Sequence, residues 1–223
     1  MTLEEAVFAR HSVRAYEEKA LPEEIARALE DEIALCNREG KLNIRLIRDE
    51  ADAFRSFLAR YGKFSGVRNY FVIAGEKGND LNERAGYFGE RLVLRSQTLG
   101  LNTCWAALSF GKGAAKKAAA LEKGEKLVCV IAVGYGKTQG AERRSKAYAD
   151  VASPENAPDW FKRGVEFALR APTAVNQQKF FFTLTGENRV RAERRGGFYG
   201  DIDLGIVKYH FTLGARQENF MFE

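Results

Sequence analysis

Two stretches of this chain share one pattern, and that pattern limits the fold more than anything else in it. Glu90–Leu101, ERLVLRSQTLGL, and Leu204–Ala215, LGIVKYHFTLGA, both have helical period and both carry Thr-Leu-Gly near the end. The helix containing the first, Asn82–Gly100, is apolar along much of its length, and a helix of that kind has to be buried. The likeness extends upstream. Pro158 aligns with Pro22, and Phe161, Val165 and Leu169 fall on Ile25, Leu29 and Ile33. The strand-like FFFTL (Phe180–Leu184) falls on NIRLI. The register differs between the two helix matches because the second copy has a shorter middle. Patterned helices can match by chance, but the shared order of helix, strand and helix argues for a repeat. The expected organisation is two unequal copies, residues 1–150 and 154–223, joined by the polar, Pro-containing stretch DVASPENAPD (Asp150–Asp159).

Other elements follow from periodicity. Leu3, Ala6, Val7 and Arg10 share one helical face. Pro22 stands at an expected N1 position with acids behind it. LNIRLI alternates as a half-buried strand, and DEADAFRSFLARYG (Asp49–Gly62) reads as one helix stopped by glycine. NYFVIAG (Asn69–Gly75) and LVCVIAVGYG (Leu127–Gly136) read as buried strands.

Composition removes several classes. The 223 residues suffice for one sizeable domain or two small ones. Cys36, Cys104 and Cys129 form no CxxC, and His11 and His210 are the only histidines, so neither a disulfide framework nor a metal site is expected. The acidic, amphipathic MTLEEAVFAR is not a secretory signal, and no apolar run reaches the ~20 residues of a membrane span. A cytoplasmic protein without a membrane partner is expected. The net charge of +5 raises the question of nucleic acid. Its densest clusters, ERRSK (Glu142–Lys146) and VRAERR (Val190–Arg195), lack the interleaved aromatics of a single-strand platform.

Two segments concentrate chemistry. ARHSVRAY (Ala9–Tyr16) packs Arg10, His11, Ser12 and Arg14 into five residues, either a solvated helix end or a grip on an anion. RAPTAVNQQ (Arg170–Gln178) runs from a helix through Pro172 into small and amide residues. It is either a polar turn or an edge suited to a heterocycle with alternating donors and acceptors.

RHSVR and APTAVNQQ, with LGLNTCW (Leu99–Trp105) and IAVGYG (Ile131–Gly136), resemble the FMN-dependent nitroreductase family. Its members carry Arg-x-Ser-x-Arg/Lys, Ala-Pro-Ser-x-x-Asn-x-Gln, Leu-Gly-Leu-Gly-Thr-Cys-Trp and a Gly-Tyr-Pro strand end. The resemblance implies an α+β fold with a mostly antiparallel central sheet flanked by helices. The usual slot of APTAVNQQ here holds ALCNREGK (Ala34–Lys41), which has neither the proline nor the glutamines. The full motif stands only in the second copy. In ordinary members two subunits share each flavin, so this chain resembles an internally duplicated branch: a single-chain pseudo-dimer with one FMN, monomeric or forming a further homodimer.

By the same resemblance, Arg10, Ser12 and His11 hold the phosphate and ribityl chain, and Arg14 lies near N1 and O2 of the flavin ring. Backbone N–H groups at Ala106 and Ala107 serve N5 or O4. Pro172, Thr173, Ala174 and Asn176 contact the pyrimidine ring and ribityl chain. Arg144, in competition with Arg143 and Lys146, completes the phosphate site. Cys104 is no nucleophile, Trp105 and His210 are packing residues, and Phe64 borders the substrate side over the ring. The implied activity passes reducing equivalents from NAD(P)H through flavin N5 to a small acceptor such as a nitroaromatic or a quinone. The alternative is a non-catalytic flavin-binding or interaction module of the same descent.

Overall fold

The computed structural model describes residues 1–223 and divides into two compact units. The first comprises Met1–Leu81 and Arg91–Ala141, the second Asn82–Glu90 and Glu142–Glu223. The linear division at residues 150–154 read from the sequence therefore differs from the compact units, which interleave within one helix.

The first unit opens with α1 (Leu3–Ala9), started by a capping box between Thr2 and Glu5. Next comes α2 (Glu23–Gly40), which begins one residue after Pro22 and buries Ala26, Leu29, Ile33 and Cys36. β1 (Asn43–Ile47) follows, then a 3-10 turn at Asp52–Phe54 and the short α3 (Phe57–Tyr61). The single helix expected over Asp49–Gly62 is thus broken. Asp49 adopts φ +52°, and Ser56 accepts from the Ala59 amide at 3.2 Å, capping a new helix in mid-segment. The unit continues with β2 (Asn69–Glu76), part of α4 (Leu81–Thr98), β3 (Asn102–Ala106), α5 (Lys112–Ala118) and β4 (Glu125–Gly134). Its sheet is antiparallel throughout, in the order β1-β2-β4-β3. β2 is buried on both faces except at its last residue, as its unbroken apolar run requires.

The second unit holds α6 (Tyr148–Val151), β5 (Ala152–Ser153), α7 (Asp159–Ala168), β6 (Phe180–Leu184), β7 (Arg189–Arg194), α8 (Gly200–Ala215) and β8 (Met221–Phe222). Its sheet runs β5-β6-β7-β8, with β6 and β7 antiparallel and both edges parallel. The linker expected at Asp150–Asp159 is in part structured: Val151 and Ala152 are buried, and β5 pairs with β6. The first half of α4 lies against α8 in this unit, and glycines set the approach. A Cβ on Gly86 would stand 2.1 Å from the Ile202 carbonyl oxygen, and one on Gly205 1.9 Å from that of Glu83. α7 meets α8 the same way, with Gly164 facing the Phe211 ring and Gly214 facing Phe167. Phe211 sits at the middle of the core, stacked on Phe182 at 4.5 Å and edge-on to Phe161 and Phe220. No helix is long and apolar enough to cross a membrane.

Candidate functional site

In the first unit the segment after α1 leaves helical geometry at Arg10 and runs beside the sheet. Ser12 bridges in parallel to Thr103 of β3, Val13 donates to the Thr103 carbonyl at 3.1 Å, and Tyr16 bridges to Gly136 beyond β4. Two glycines make this docking possible. A Cβ on Gly136 would press within 2.8 Å of Asn102 Oδ1 and Val13 Cγ1. One on Gly140, at φ +82°, would meet His11 Cβ at 2.5 Å. Asn102 secures the arrangement by accepting from the Gly136 amide at 3.0 Å and donating to Gln139 at 3.1 Å. The IAVGYG and LGLNTCW motifs are therefore the bed on which RHSVR lies.

The bed brings Arg10, Ser12 and Arg14 around one thiol. Burial pushes the Cys104 pKa up, while the charges of Arg14 and Arg10 and a hydrogen bond with Ser12 oppose the rise. Cys104 thus stays a thiol, in keeping with a packing role. Arg10 is buried; Ser12 and Arg14 are exposed. Two guanidinium groups and a hydroxyl on one short, backbone-anchored segment are donors suited to an anion. Ala106 is buried at the end of β3, the edge strand, and Ala107 follows it half-buried.

In the second unit the loop after α7 has an unusual backbone. Val175, Asn176 and Gln178 all have positive φ, at 46°, 56° and 46°. For a β-branched residue such as Val175 this is a strained state, and its side chain is 90% exposed. The loop is held from two sides. From the 142–146 stretch, the Arg144 carbonyl accepts from Asn176 Nδ2 and Gln178 Nε2, both at 2.9 Å, and the Lys146 amide donates to Gln178 Oε1 at 2.9 Å. From α8, Asp203 accepts from the Ala174 amide at 3.0 and 3.1 Å and from Gln177 Nε2 at 2.7 Å. Pro172 is buried at the helix end, and Thr173 Oγ1 accepts from the Gln178 amide at 3.0 Å.

These bonds separate the three basic candidates. Arg143 donates to the Leu169 carbonyl at 3.1 Å, capping α7, and Lys146 Nζ donates to the Gln178 carbonyl at 2.9 Å. Arg144 alone keeps an exposed side chain with no intramolecular partner. Asn176 and the Ala174 amide, expected to face a ligand, are engaged inside the loop. Gln177, Gln178 and Asp203 went unread as loop-holding residues; only the amides in NQQ hinted at it. Phe64 is not over any open site: it is buried edge-on to Phe54 at 5.0 Å. The core of that region requires the ring, and the exposed apolar side chains nearby in sequence are Phe57, Leu58 and Tyr61. A cleft of about 390 Å³ in the first unit is lined by Glu18, Asp49, Glu50 and Asp52 against Arg55 and Arg68. That charge balance is wrong for a phosphate.

The chain matches over residues 2–215 the family model described as "Putative TM nitroreductase". It belongs to this nitroreductase family. A protein from Thermotoga maritima described as a "putative nitroreductase" has a similar structure, at TM-score 0.70 and 24% identity, over 98% of this chain and 85% of that one. A "putative nitroreductase in complex with FMN" from Desulfovibrio desulfuricans is similar at TM-score 0.57 and 18% identity, over 71% and 99%. A nitroreductase-like protein from Streptococcus mutans is similar at TM-score 0.56 and 13% identity, over 68% and 97%. No curated protein matches. The family assignment makes the chain a nitroreductase-like oxidoreductase, and the α+β fold with an antiparallel sheet flanked by helices is that of these structures. In the first unit Arg10, Ser12 and Arg14 beside Cys104 are donors of the kind that suit an anionic group; in the second, Arg144 stands next to the loop that its carbonyl ties.

Proposed function

We propose that the chain is an FMN-dependent oxidoreductase that carries reducing equivalents from NAD(P)H to a small electrophilic acceptor such as a nitroaromatic or a quinone. The observation that carries this reading is the convergence of Arg10, Ser12 and Arg14 on one anchored segment within a nitroreductase fold. When bound, FMN supplies the two-electron chemistry. The chain's own residues bind and orient it. Arg10, His11, Ser12 and Arg144 are assigned to the phosphate and ribityl chain, where charge-assisted hydrogen bonds are strongest. Arg14, which is exposed, is assigned to the pyrimidine edge, where a fixed cation favours the reduced cofactor. The Ala106 and Ala107 backbone is assigned to the opposite edge, and Pro172, Thr173, Ala174 and Asn176 shape the loop presented to the ring. No His/Asp or Cys/His pair is needed, because hydride exchange asks for an open face rather than a proton relay.

The test is an anaerobic absorbance spectrum of the protein after reconstitution with FMN and desalting. A retained flavin band bleached by NADH or NADPH and restored by a quinone or nitroaromatic is expected, at one flavin per chain. A protein that retains no flavin, and whose thermal stability is unmoved by saturating FMN, overturns the assignment.

A further inference from the structure

Resting on that reading, we propose that Asp203 is the positioning residue of the flavin loop: its ionised carboxylate holds the strained Thr173–Gln178 segment in the shape that meets the cofactor. Asp203 lies in the first turn of α8 and is only 5% exposed. The partners of its side chain are the Ala174 amide and the Gln177 side chain, both donors, so the carboxylate accepts in every hydrogen bond it makes. Gln177 cannot reverse its amide to suit a different partner without loss, because its Nε2 also donates to the Phe198 carbonyl at 2.8 Å. The loop needs such a clamp. Three of its residues hold positive φ, and Val175 projects into solvent with nothing packed on it to fix that backbone. Arg144, Asn176 and Gln178 tie the far end of the loop, and Asp203 ties the near end.

The clamp depends on charge. Burial raises the Asp203 pKa to about 6, with the Gln177 and Ala174 hydrogen bonds opposing the rise. Neither group facing it from the loop titrates. It forms no ion pair, and the other acid of that helix turn, Asp201, is bound to Arg194 of β7 at 2.8 Å. Protonation of Asp203 turns one of its two acceptor oxygens into a donor, so Ala174 N–H and Gln177 Nε2 no longer both meet a carboxylate oxygen, and the near end of the loop loosens.

The experiment has two readouts. In flavin-free protein, the Ala174 amide resonance is followed against pH by NMR in the wild type and in Asp203→Asn. In parallel, FMN affinity is measured by flavin fluorescence. The Ala174 resonance is expected to titrate with a midpoint near pH 6 in the wild type and to stay flat in the variant. Asp203→Asn leaves one acceptor oxygen for two donors and turns its Nδ2 on the other, with the charge removed, so it should weaken FMN binding about tenfold at neutral pH, the low end for a charged hydrogen bond. Because the FMN phosphate titrates near pH 6 itself, affinity is read as the ratio of variant to wild type. That ratio should shrink towards one as pH falls below the Asp203 pKa. Equal FMN affinity of the two proteins at neutral pH, or an Ala174 resonance indifferent to pH, overturns the proposal while leaving the flavin reading intact. A wild type that binds no FMN overturns the flavin reading and the proposal with it. Should Asp203→Asn not fold, Gln177→Ala serves instead. It removes one of the clamp's two donors and should weaken FMN severalfold.

Discussion

Both ring nitrogens of His210 face acceptors, the Phe167 carbonyl at 3.1 Å and Glu90 Oε1 at 2.8 Å, and neither His210 nor Glu90 has any exposed surface. With no water to turn to, each of the two side chains depends on the other for its hydrogen bond. Replacing one member strands the other. His210→Ala should lower stability by about 3–5 kcal/mol, as for a buried pair broken on one side, whereas Glu90→Leu with His210→Phe should recover most of the loss. Urea unfolding of the three proteins measures both effects. Asp203 behaves oppositely. Its folded pKa, about 6, lies above the ordinary 3.8, so the folded state binds a proton over the interval where the unfolded state has released it. Stability from this residue is therefore present at low pH and lost as pH rises through 6. Between pH 4.5 and 7 the wild type should lose roughly 2 kcal/mol relative to Asp203→Asn, with unfolding free energies at the two pH values as the check. An acid kept ionised in the interior against the interest of stability is consistent with one retained for holding a functional loop.

Helix α4 and helix α8 were legible as apolar elements from ERLVLRSQTLGL and LGIVKYHFTLGA, but their manner of meeting was not. Glycine within a helical pattern reads as a weak point; only the structure shows that Gly86 and Gly205 mark where two backbones touch. The same argument separates glycines by sign. Gly205→Ala gains helix propensity yet drives a Cβ into the Glu83 carbonyl, so a net loss of about 1–3 kcal/mol is expected. Gly113 lies in α5, and a Cβ added there would meet nothing within 4 Å, so Gly113→Ala should instead gain up to ~1 kcal/mol. Thermal unfolding of the two variants should shift in opposite directions. Elements that the sequence hid are short and set by partners. β5 is two residues whose pairing with β6 is decided 30 residues away, and the prolines that follow it, Pro154 and Pro158, disguised it as a linker. The break between the Asp52–Phe54 turn and α3 depends on the Ser56 cap, which apolar periodicity does not register.

At the scale of the molecule, the candidate site was legible where residue type alone carries the chemistry and illegible where geometry chooses among equals. Arg10, Ser12 and Arg14 announce an anion by their density, and they converge on Cys104. ERRSK offers three cations that look alike, and only the hydrogen bonds of Arg143 and Lys146 single out Arg144. Asp203 lies 29 residues beyond Ala174, and no spacing rule joins them. If Arg144 binds the phosphate, its removal must matter to FMN and not to riboflavin, which has the same ring and ribityl chain without the phosphate. Arg144→Ala should weaken FMN by about tenfold or more, the range of a charge-assisted hydrogen bond, and leave riboflavin affinity unchanged. The backbone carbonyl that Asn176 and Gln178 use remains in the variant, so the loop keeps its tie. Fluorescence titrations of both ligands decide the matter. Equal weakening of the two would show that Arg144 acts through the loop. Unchanged affinity for both would move the phosphate onto the Arg10 and Ser12 donors alone.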